Sequence, residues 1–371
     1  MDEHKSHTHS PPSDFRQIPI VWRYELLRYL RSKRLYASLA ITLVVLALLY
    51  ALPPLLGQPY SGTDTRAEVT VVDLGSIGLP PGTVPFESIG LLNRSGVHLD
   101  TLIVYKNGTE YPRGPTTWLL SGDEGAPKIS LAGVSAVLFF KENITGERIT
   151  ATYDWSIPVQ EFDSLFLNFA NILVIICATF FGADSVVGEF QNRTGYLIFP
   201  NPVKRETLFA GKFAASVTAG ALVVGLFYIV VVILSFATAG GLDDDFGTSF
   251  GFAIEYLVAA MAIAYLISSV LKGSTGATVL TFFMFIMILP IVDSVSIFSG
   301  VKIEGSVTFA AGVIVYILSD PYPVDTSQSV AGFTFSNFYP DPTLAAITMF
   351  AYAAAALFIA LLLFKRKQLV G

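Results

Sequence analysis

The stretch GEFQNRTGYLIFPNPVKRETLFAGK, residues 188–212, separates two long apolar runs and decides how the rest of the chain is interpreted. An acidic residue follows the first run, a Thr-Gly pair and a Pro-Asn-Pro sequence come next, and basic residues lead into the second run. The positions that carry this pattern are Glu189, Thr194, Gly195, Pro200, Pro202, Arg205, Gly211 and Lys212. A polar, proline-containing connection between apolar runs is typical of a loop that joins two membrane helices.

The composition also indicates a membrane protein. Of the 371 residues, 53% are hydrophobic and 14% are charged, and the mean hydropathy is +0.59. Soluble domains carry about 25% charged residues, so we predict an integral membrane protein. The first residues are polar, and no cleavable signal peptide is expected there.

Six apolar runs are long enough to cross a bilayer as helices, which takes about 20 residues. We therefore predict an all-α polytopic membrane protein with six transmembrane helices. The runs are Tyr36–Leu56, Leu165–Ala183, Phe213–Ala239, Phe250–Leu271, Gly276–Phe298 and Leu344–Phe364. Pro290 lies within the fifth run and is expected to kink it.

The distribution of charge sets the predicted orientation. With six spans, most of the 23 lysines and arginines fall on one side, as they do in the short cytosolic loops of membrane proteins. We predict a plasma-membrane protein with both termini cytosolic and with 184–212 as a cytosolic loop. Segment 299–343 would lie outside, and its apolar part Val307–Leu318 is short enough to be re-entrant or on the surface.

The predicted organisation has four parts. A cytosolic tail and connecting helix occupy 1–35, the first span 36–57, a β-rich extracytoplasmic domain 58–162, and the remaining five spans 163–371. Near the end of the tail, Trp22, Leu26 and Tyr29 recur at helical spacing with arginines on the other side. This pattern predicts a helix in the membrane plane, and a plain positively charged flank is the alternative.

The domain inserted between the first two helices is predicted to be β-rich. Glu68–Asp73, Thr101–Tyr105 and Val134–Phe140 are strand-like runs between turn residues. The sequence Lys106-Asn107-Gly108-Thr109 predicts a hairpin turn, because Asn-Gly accepts the positive φ angles of a type I′ turn. Three Asn-x-Ser/Thr sequons mark candidate glycosylation sites at Asn93, Asn107 and Asn143.

Several kinds of chemistry are missing from the sequence. The Gly211-Lys212 pair is not followed by Ser or Thr and lacks the first glycine of a P-loop, so no nucleotide site is predicted. We expect no catalytic residue, no bound metal or cofactor, and no nucleic-acid partner. Two acids fall inside spans, Glu255 in the fourth and Asp293 in the fifth, and they are the candidate translocation or gating residues. A residue that only anchors at the membrane interface is the alternative for Glu255.

The order of residues in 188–212 resembles the cytosolic loop between the second and third helices of ABC-2 type permeases. Family members usually read Gly-Thr where this chain has Thr194-Gly195. The resemblance implies that the loop docks on a separate ATPase subunit, which would hold ATP and Mg²⁺. It also implies pairing with a second permease copy or a homologous half, and export of substrate by alternating access. The coupling residues would then be the eight given above for this stretch.

Two other classes of function are consistent with six spans and an outer domain. One is a polytopic receptor or assembly scaffold whose outer domain binds a ligand. The other is a secondary transporter, for which an acidic residue such as Glu255 would have to couple an ion. A neighbouring ATPase gene would favour the permease.

Overall fold

The chain contains a mainly helical unit and a β-rich unit. The computed structural model describes residues 14–74, 85–129, 134, 136–188, 204–330 and 333–366. The helical unit is drawn from Met1–Leu49, Asp163–Ile233 and Leu242–Gly371, and the β-rich unit from Tyr50–Phe162 and Leu234–Gly241.

The helices account for most of the ordered structure. In chain order they are α1 (Asp14–Leu30), α2 (Lys33–Leu55), α3 (Val159–Leu167), α4 (Ala170–Cys177), α5 (Arg205–Thr238), α6 (Phe246–Val270), α7 (Ser274–Phe283), α8 (Leu289–Ser299), α9 (Val307–Ala311), α10 (Val313–Tyr316) and α11 (Pro342–Arg366). The region before the first span is helical as α1, and its position in the membrane plane stays a prediction.

Six helical segments among the described residues are long and apolar enough to cross a membrane. Their number agrees with the six candidate spans predicted from the sequence. They are Lys33–Leu55, Val159–Gly182, Arg205–Thr238, Phe246–Val270, Ser274–Ser296 and Pro342–Arg366, and we refer to them as spans 1 to 6.

Helix α6 forms the centre of the helical unit. Its middle, residues 259–264, is completely or almost completely buried. Helix α11 packs along it, and the buried positions of α11 recur every three or four residues as Ala345, Met349, Ala353, Ala356 and Ala360. Small side chains on this stripe allow the two helices to approach closely, which is how membrane helices commonly associate.

Two spans are interrupted by π-helical turns. One is Ala178–Gly182 in span 2, and the other is Met284–Ile288 in span 5, just before Pro290. Proline has no backbone N–H to donate, and the helical hydrogen-bond ladder is often irregular near it. The kink expected at Pro290 stays a prediction.

A β-hairpin that the sequence analysis did not predict lies between α10 and α11. Strands β9 (Thr326–Val330) and β10 (Phe333–Asn337) pair antiparallel. Its strands contain many Ser and Thr residues and few large aliphatic ones, so they carry a weak strand signal. The short apolar segment expected at Val307–Leu318 is helical over Val307–Tyr316, as α9 and α10, and it is too short to be among the candidate spans.

The β-rich unit consists of two four-stranded antiparallel sheets. Their strands are β1 (Ser61–Glu68), β2 (Thr70–Asp73), β3 (Ser88–Leu92), β4 (Ile103–Lys106), β5 (Thr109–Glu110), β6 (Trp118–Leu120), β7 (Ala136–Phe140) and β8 (Ile149–Ser156). One sheet has the order β1-β8-β4-β5 and the other β2-β3-β7-β6.

Strand β7 is buried on both faces. Ala136, Leu138 and Phe140 contribute to one apolar cluster, while Val137 and Phe139 belong to another. Alternate residues of a strand point to opposite faces, so this run of consecutive apolar residues serves two cores at once. The predicted strand at Val134–Phe140 is confirmed over Ala136–Phe140.

Two further sequence predictions for this unit can be compared with the structure. The Asn107-Gly108 turn is confirmed, since both residues have positive φ (51° and 84°) and Lys106 pairs with Thr109. The strand predicted at Glu68–Asp73 is confirmed over Thr70–Asp73 only. Glu68 ends a strand of one sheet and Thr70 begins a strand of the other, so the chain passes between sheets at Val69.

Candidate functional site

A buried ion pair joins α1 to the beginning of α5. Lys212 lies about two turns after the start of α5, and its Nζ is 2.8 Å from Oε1 of Glu25 on α1. Each side chain is only 6% exposed. Buried charges are costly unless they are paired, so the two helices hold each other in a defined register at this point.

The neighbouring Gly211 allows α1 to approach α5 closely. A Cβ atom at Gly211 would lie 2.7 Å from two carbon atoms of the Val21 side chain, and real Cβ atoms essentially never come so near. About two turns further along α5, the indole Nε1 of Trp22 donates to Oγ1 of Thr218 at 3.0 Å. Gly211 and Lys212 are therefore part of the contact with the N-terminal helix.

Tyr29 connects α1 to the end of span 2 and to α5. Its hydroxyl lies 3.1 Å from the carbonyl oxygen of Phe181, 3.0 Å from Oγ of Ser185 and 2.9 Å from Oγ of Ser216. Ser216 in turn lies 2.7 Å from the hydroxyl of Tyr265 on α6. Phe181 belongs to the π-helical turn of span 2, where the altered ladder makes its carbonyl a shared acceptor.

Asp184 forms a second polar junction, just beyond span 2. Its Oδ2 accepts from Nη2 of Arg34 at 2.8 Å, and its Oδ1 accepts from the hydroxyl of Ser274. Arg34 also donates to the carbonyl of Phe180 at 3.3 Å. The carboxylate therefore connects the start of α2, the end of span 2 and the start of α7.

These groups surround a cavity of about 220 Å³. Three basic and two acidic side chains line it, together with three hydroxyl groups and one glycine. The residues are Glu25, Arg28, Tyr29, Ser32, Arg34, Asp184, Ser185, Gly188 and Lys212. We call it the junction cavity.

The structure describes only part of the stretch predicted to couple to an ATPase. Glu189, Thr194, Gly195, Pro200 and Pro202 lie outside the described residues. Gly211 and Lys212 occupy the contact with α1, and Arg205 lies at the first position of α5.

Arg205 and its neighbour Glu206 contact the end of the last span. Nη1 of Arg205 donates to the carbonyl oxygen of Lys365 at 3.0 Å, and the Lys365 ammonium pairs with Glu206. Both partners are largely exposed, so the pair contributes little to stability. The start of α5 is nevertheless joined to α11 as well as to α1.

The two acids predicted as gating candidates lie on different helices. Glu255 lies on α6. Asp293 lies on α8, where its Oδ2 accepts from Oγ1 of Thr308 at 2.6 Å, and this bond connects α8 to α9. In the described ranges no hydrogen bond or ion pair joins Glu255 to Asp293.

The candidate glycosylation sites all lie in the β-rich unit. Asn93 is exposed directly after β3. In the hairpin turn, the amide of Asn107 donates to Glu147 at 3.0 Å and accepts from the backbone N–H of Arg148 at 3.2 Å. Asn143 accepts from the N–H of Thr145 at 3.0 Å. Their modification stays a prediction.

Among the residues the structure describes, no group of three His, Cys, Asp or Glu could hold a metal ion.

Glu25 is the most important residue of the site that the sequence analysis missed. It lies one turn from Tyr29 on a face of α1 that also carries Val21 and Trp22, and Trp22 and Tyr29 were used to predict that face. An acidic residue at helical spacing within an apolar face needs a buried cation, and that signal was available in the sequence.

Comparison with known proteins identifies a family for almost the whole chain. A family model described as ABC-2 family transporter protein matches residues 20–369. The match covers most of α1, all six candidate spans and the β-rich unit. No curated protein matches the chain.

Proposed function

The chain belongs to the ABC-2 transporter family, and we propose that it is the permease subunit of an ATP-driven exporter. ATP and Mg²⁺ would be bound by a separate ATPase subunit. Two permease copies, or this chain and a homologous half, would enclose the substrate path and open it alternately to the two sides.

The proposal places the β-rich unit outside the membrane, between the first and second spans of the topology. Both termini and residues 184–212 would be cytosolic in the plasma membrane. The basic residues Arg28, Arg34, Arg205 and Lys365 all lie near helix ends that this topology puts on the cytosolic side. Such a bias is the usual determinant of orientation.

The observation that carries the proposal is the buried pair between Glu25 and Lys212, 2.8 Å apart. The loop predicted to dock on the ATPase ends where α5 begins, and about two turns later α5 is fixed to α1 by this pair. Tyr29 then joins α1 to span 2, on the other side of the loop. A force applied to the loop would therefore move α1, span 2 and α5 together, as rigid-body transitions require.

Glu189 and Arg205 are proposed to make charge-assisted contacts with the ATPase, while Pro200 and Pro202 fix the shape of the loop. A hydrogen bond to a charged group contributes about 1.5–3 kcal/mol. Removing one such contact should weaken coupling by roughly tenfold to a hundredfold if it is buried in the complex. Thr194 and Gly195 would supply the turn.

The test is to co-express the chain with a candidate ABC ATPase subunit and measure substrate-stimulated ATP hydrolysis per correctly inserted complex. The purified chain alone should not hydrolyse ATP, and the complex should. Glu189→Ala and Arg205→Ala should insert normally and reduce stimulated hydrolysis. Lys272→Ala, at an exposed lysine between α6 and α7, is the matched control.

Two outcomes would contradict the proposal. Hydrolysis by the isolated chain at the rate of the complex would remove the need for a partner. Unchanged stimulation in both loop variants, with normal insertion, would mean that the loop does not transmit the ATPase cycle.

A further inference from the structure

Glu255 lies deep within its span. Helix α6 begins at Phe246, so Glu255 lies about 14 Å along the axis from the end that the proposed topology places outside. The helix has 25 residues and is about 37 Å long, a few ångströms longer at each end than a bilayer core of ~30 Å. A glutamate side chain at this depth is too short to bring its carboxylate out to the membrane interface. The structure therefore disfavours the interface anchor that was the alternative for this residue.

The carboxylate of Glu255 has no partner within the chain. No hydrogen bond or ion pair reaches it from any residue that the structure describes. In contrast, Asp293 of span 5 accepts from Thr308, and Lys212 of span 3 is paired with Glu25. Ionisable groups inside a membrane are costly and usually have a function, so an unpaired one needs a partner from elsewhere.

The face of α6 that carries Glu255 is not covered by the rest of the helical unit. Thr248, Gly251, Glu255 and Val258 recur on this face at helical spacing, and each of them is exposed or half-buried. A Cβ atom at Gly251 would have no neighbour within 4 Å. Further along the helix, residues 259–264 are buried. The open face therefore ends near the middle of the membrane, and Glu255 is the only charged residue of these four.

A second copy of this chain has no cation to offer at this depth. The basic residues within the six spans all lie in the first eight or the last two residues of a span, and they are Lys33, Arg34, Arg205, Lys212, Lys365 and Arg366. The proposed topology places these span ends on the cytosolic side, whereas Glu255 lies in the outer half of α6. The cation that pairs with Glu255 therefore has to be supplied by a ligand.

We infer that this face of α6 binds organic cations, in which one positive charge is carried on an apolar body. The inference rests on the proposed function, because it names the class of substrate that the permease exports. A carboxylate among apolar groups attracts a positive charge strongly, and the half-buried ring of Phe252, one turn before Glu255, adds a surface that favours a cation. A divalent metal ion fits poorly, because it needs about six oxygen ligands and this face has one carboxylate.

The test measures equilibrium binding of tetraphenylphosphonium, an apolar monovalent cation, to the purified full chain in a non-ionic detergent. The wild type should bind it saturably. In separate samples, tetraphenylborate, which has the same shape and the opposite charge, should bind at least about tenfold more weakly. Glu255→Gln should weaken binding of the cation about tenfold to a hundredfold, because one charged contact is lost. The matched control Glu110→Gln, at an exposed glutamate of β5, should bind as the wild type does.

A second variant keeps Glu255 and supplies its partner from within the helix. Gly251→Lys places an ammonium one turn before Glu255, where the space is open, and residues four apart on a helix can form an ion pair. It should weaken binding of tetraphenylphosphonium as strongly as Glu255→Gln does, whereas Gly251→Gln should weaken it less. No binding by the wild type, equal binding of the two probes, or unchanged binding by Glu255→Gln or Gly251→Lys would each overturn the inference.

A transport arm separates this inference from the proposed function. In the complex with an ATPase subunit, tetraphenylphosphonium should stimulate ATP hydrolysis with the wild type and not with Glu255→Gln. If the chain binds the cation through Glu255 but no ATPase subunit is stimulated, the binding site is supported and the exporter function is contradicted. If other compounds stimulate hydrolysis while the chain does not bind the cation, the substrate class is wrong and the exporter function stands.

Discussion

Replacing Lys212 with methionine tests whether the buried pair on α5 and α1 is as important as its geometry indicates. The substitution keeps the length and apolar stem of the side chain, removes the charge, and leaves the carboxylate of Glu25 buried. Removing one partner of a buried ion pair costs about 3–5 kcal/mol in the free energy of unfolding. Arg28, 3.6 Å from the same carboxylate, can compensate part of that charge, so we expect a loss of about 3 kcal/mol.

The double variant Glu25→Leu/Lys212→Met removes both charges. Replacing a whole buried pair with apolar residues is often neutral or stabilising. We therefore expect the double variant to unfold within about 1 kcal/mol of the wild type, or to be more stable than it. The two variants together separate the cost of an unpaired charge from the loss of packing.

Unfolding by sodium dodecyl sulfate in mixed micelles, followed by helical circular dichroism, gives the comparison. Lys272→Met, at an exposed lysine, is the control and should change stability by less than about 0.5 kcal/mol. Two results would contradict this reasoning: Lys212→Met unfolds like the Lys272→Met control, or the double variant is as unstable as the single one. Either would mean that Glu25 does not depend on the charge of Lys212.

Three further predictions concern the contact at Gly211, the buried carboxyl of Asp243 and the membrane topology. Gly211→Ala should destabilise the chain by about 1–3 kcal/mol, because the new methyl group would clash with Val21 of α1. Gly225→Ala on the same helix is the control and should not, because a Cβ atom there has no neighbour within 4 Å. Chemical unfolding of the two variants gives the comparison. Burial raises the pKa of the Asp243 carboxyl in the folded chain. The ionised carboxylate therefore lowers the free energy of unfolding at pH 7, and this loss shrinks as the pH falls toward the pKa of the unfolded chain. Asp243→Asn should raise the unfolding midpoint at pH 7 and make the midpoint less dependent on pH between pH 7 and 4. An impermeant thiol reagent applied from outside the cell should label a cysteine at Asn107 and spare one at Lys204, and labelling of the latter would contradict the proposed topology.

The spans were predictable because the physics that places them is local. A run of about 20 apolar residues has to form a helix in a membrane, where every backbone group needs an internal partner. Span 1 was predicted at Tyr36–Leu56 and occupies Lys33–Leu55, a difference of a few residues at the polar end. The Asn107-Gly108 turn was predictable for the same kind of reason, since few residues other than Asn and Gly tolerate positive φ.

The partners of the candidate site could not be derived in the same way. Gly211 and Lys212 were chosen from a local pattern, but the residues they contact, Val21 and Glu25, lie almost 190 positions earlier in the chain. The pattern of apolar residues within α5 does not indicate which helix packs against it. The π-helical turn at Phe181 likewise depends on the assembled helical unit. The carbonyl oxygen of Phe181 accepts from Tyr29 on α1 and from Ser216 on α5.

The pair of Glu25 and Lys212 is better explained by register than by stability. Apolar residues of similar size would fill the same space at no net cost, so stability alone gives no reason for two buried charges. Sliding α1 by one helical turn along α5 would displace Glu25 by about 5.4 Å and leave both charges buried without their partner. Apolar side chains would tolerate such a slide far better. Glu25 and Tyr29 fix α1 at two positions one turn apart, and Arg34 at the start of α2 is joined to Asp184. A displacement of α5 therefore has to be followed by α1.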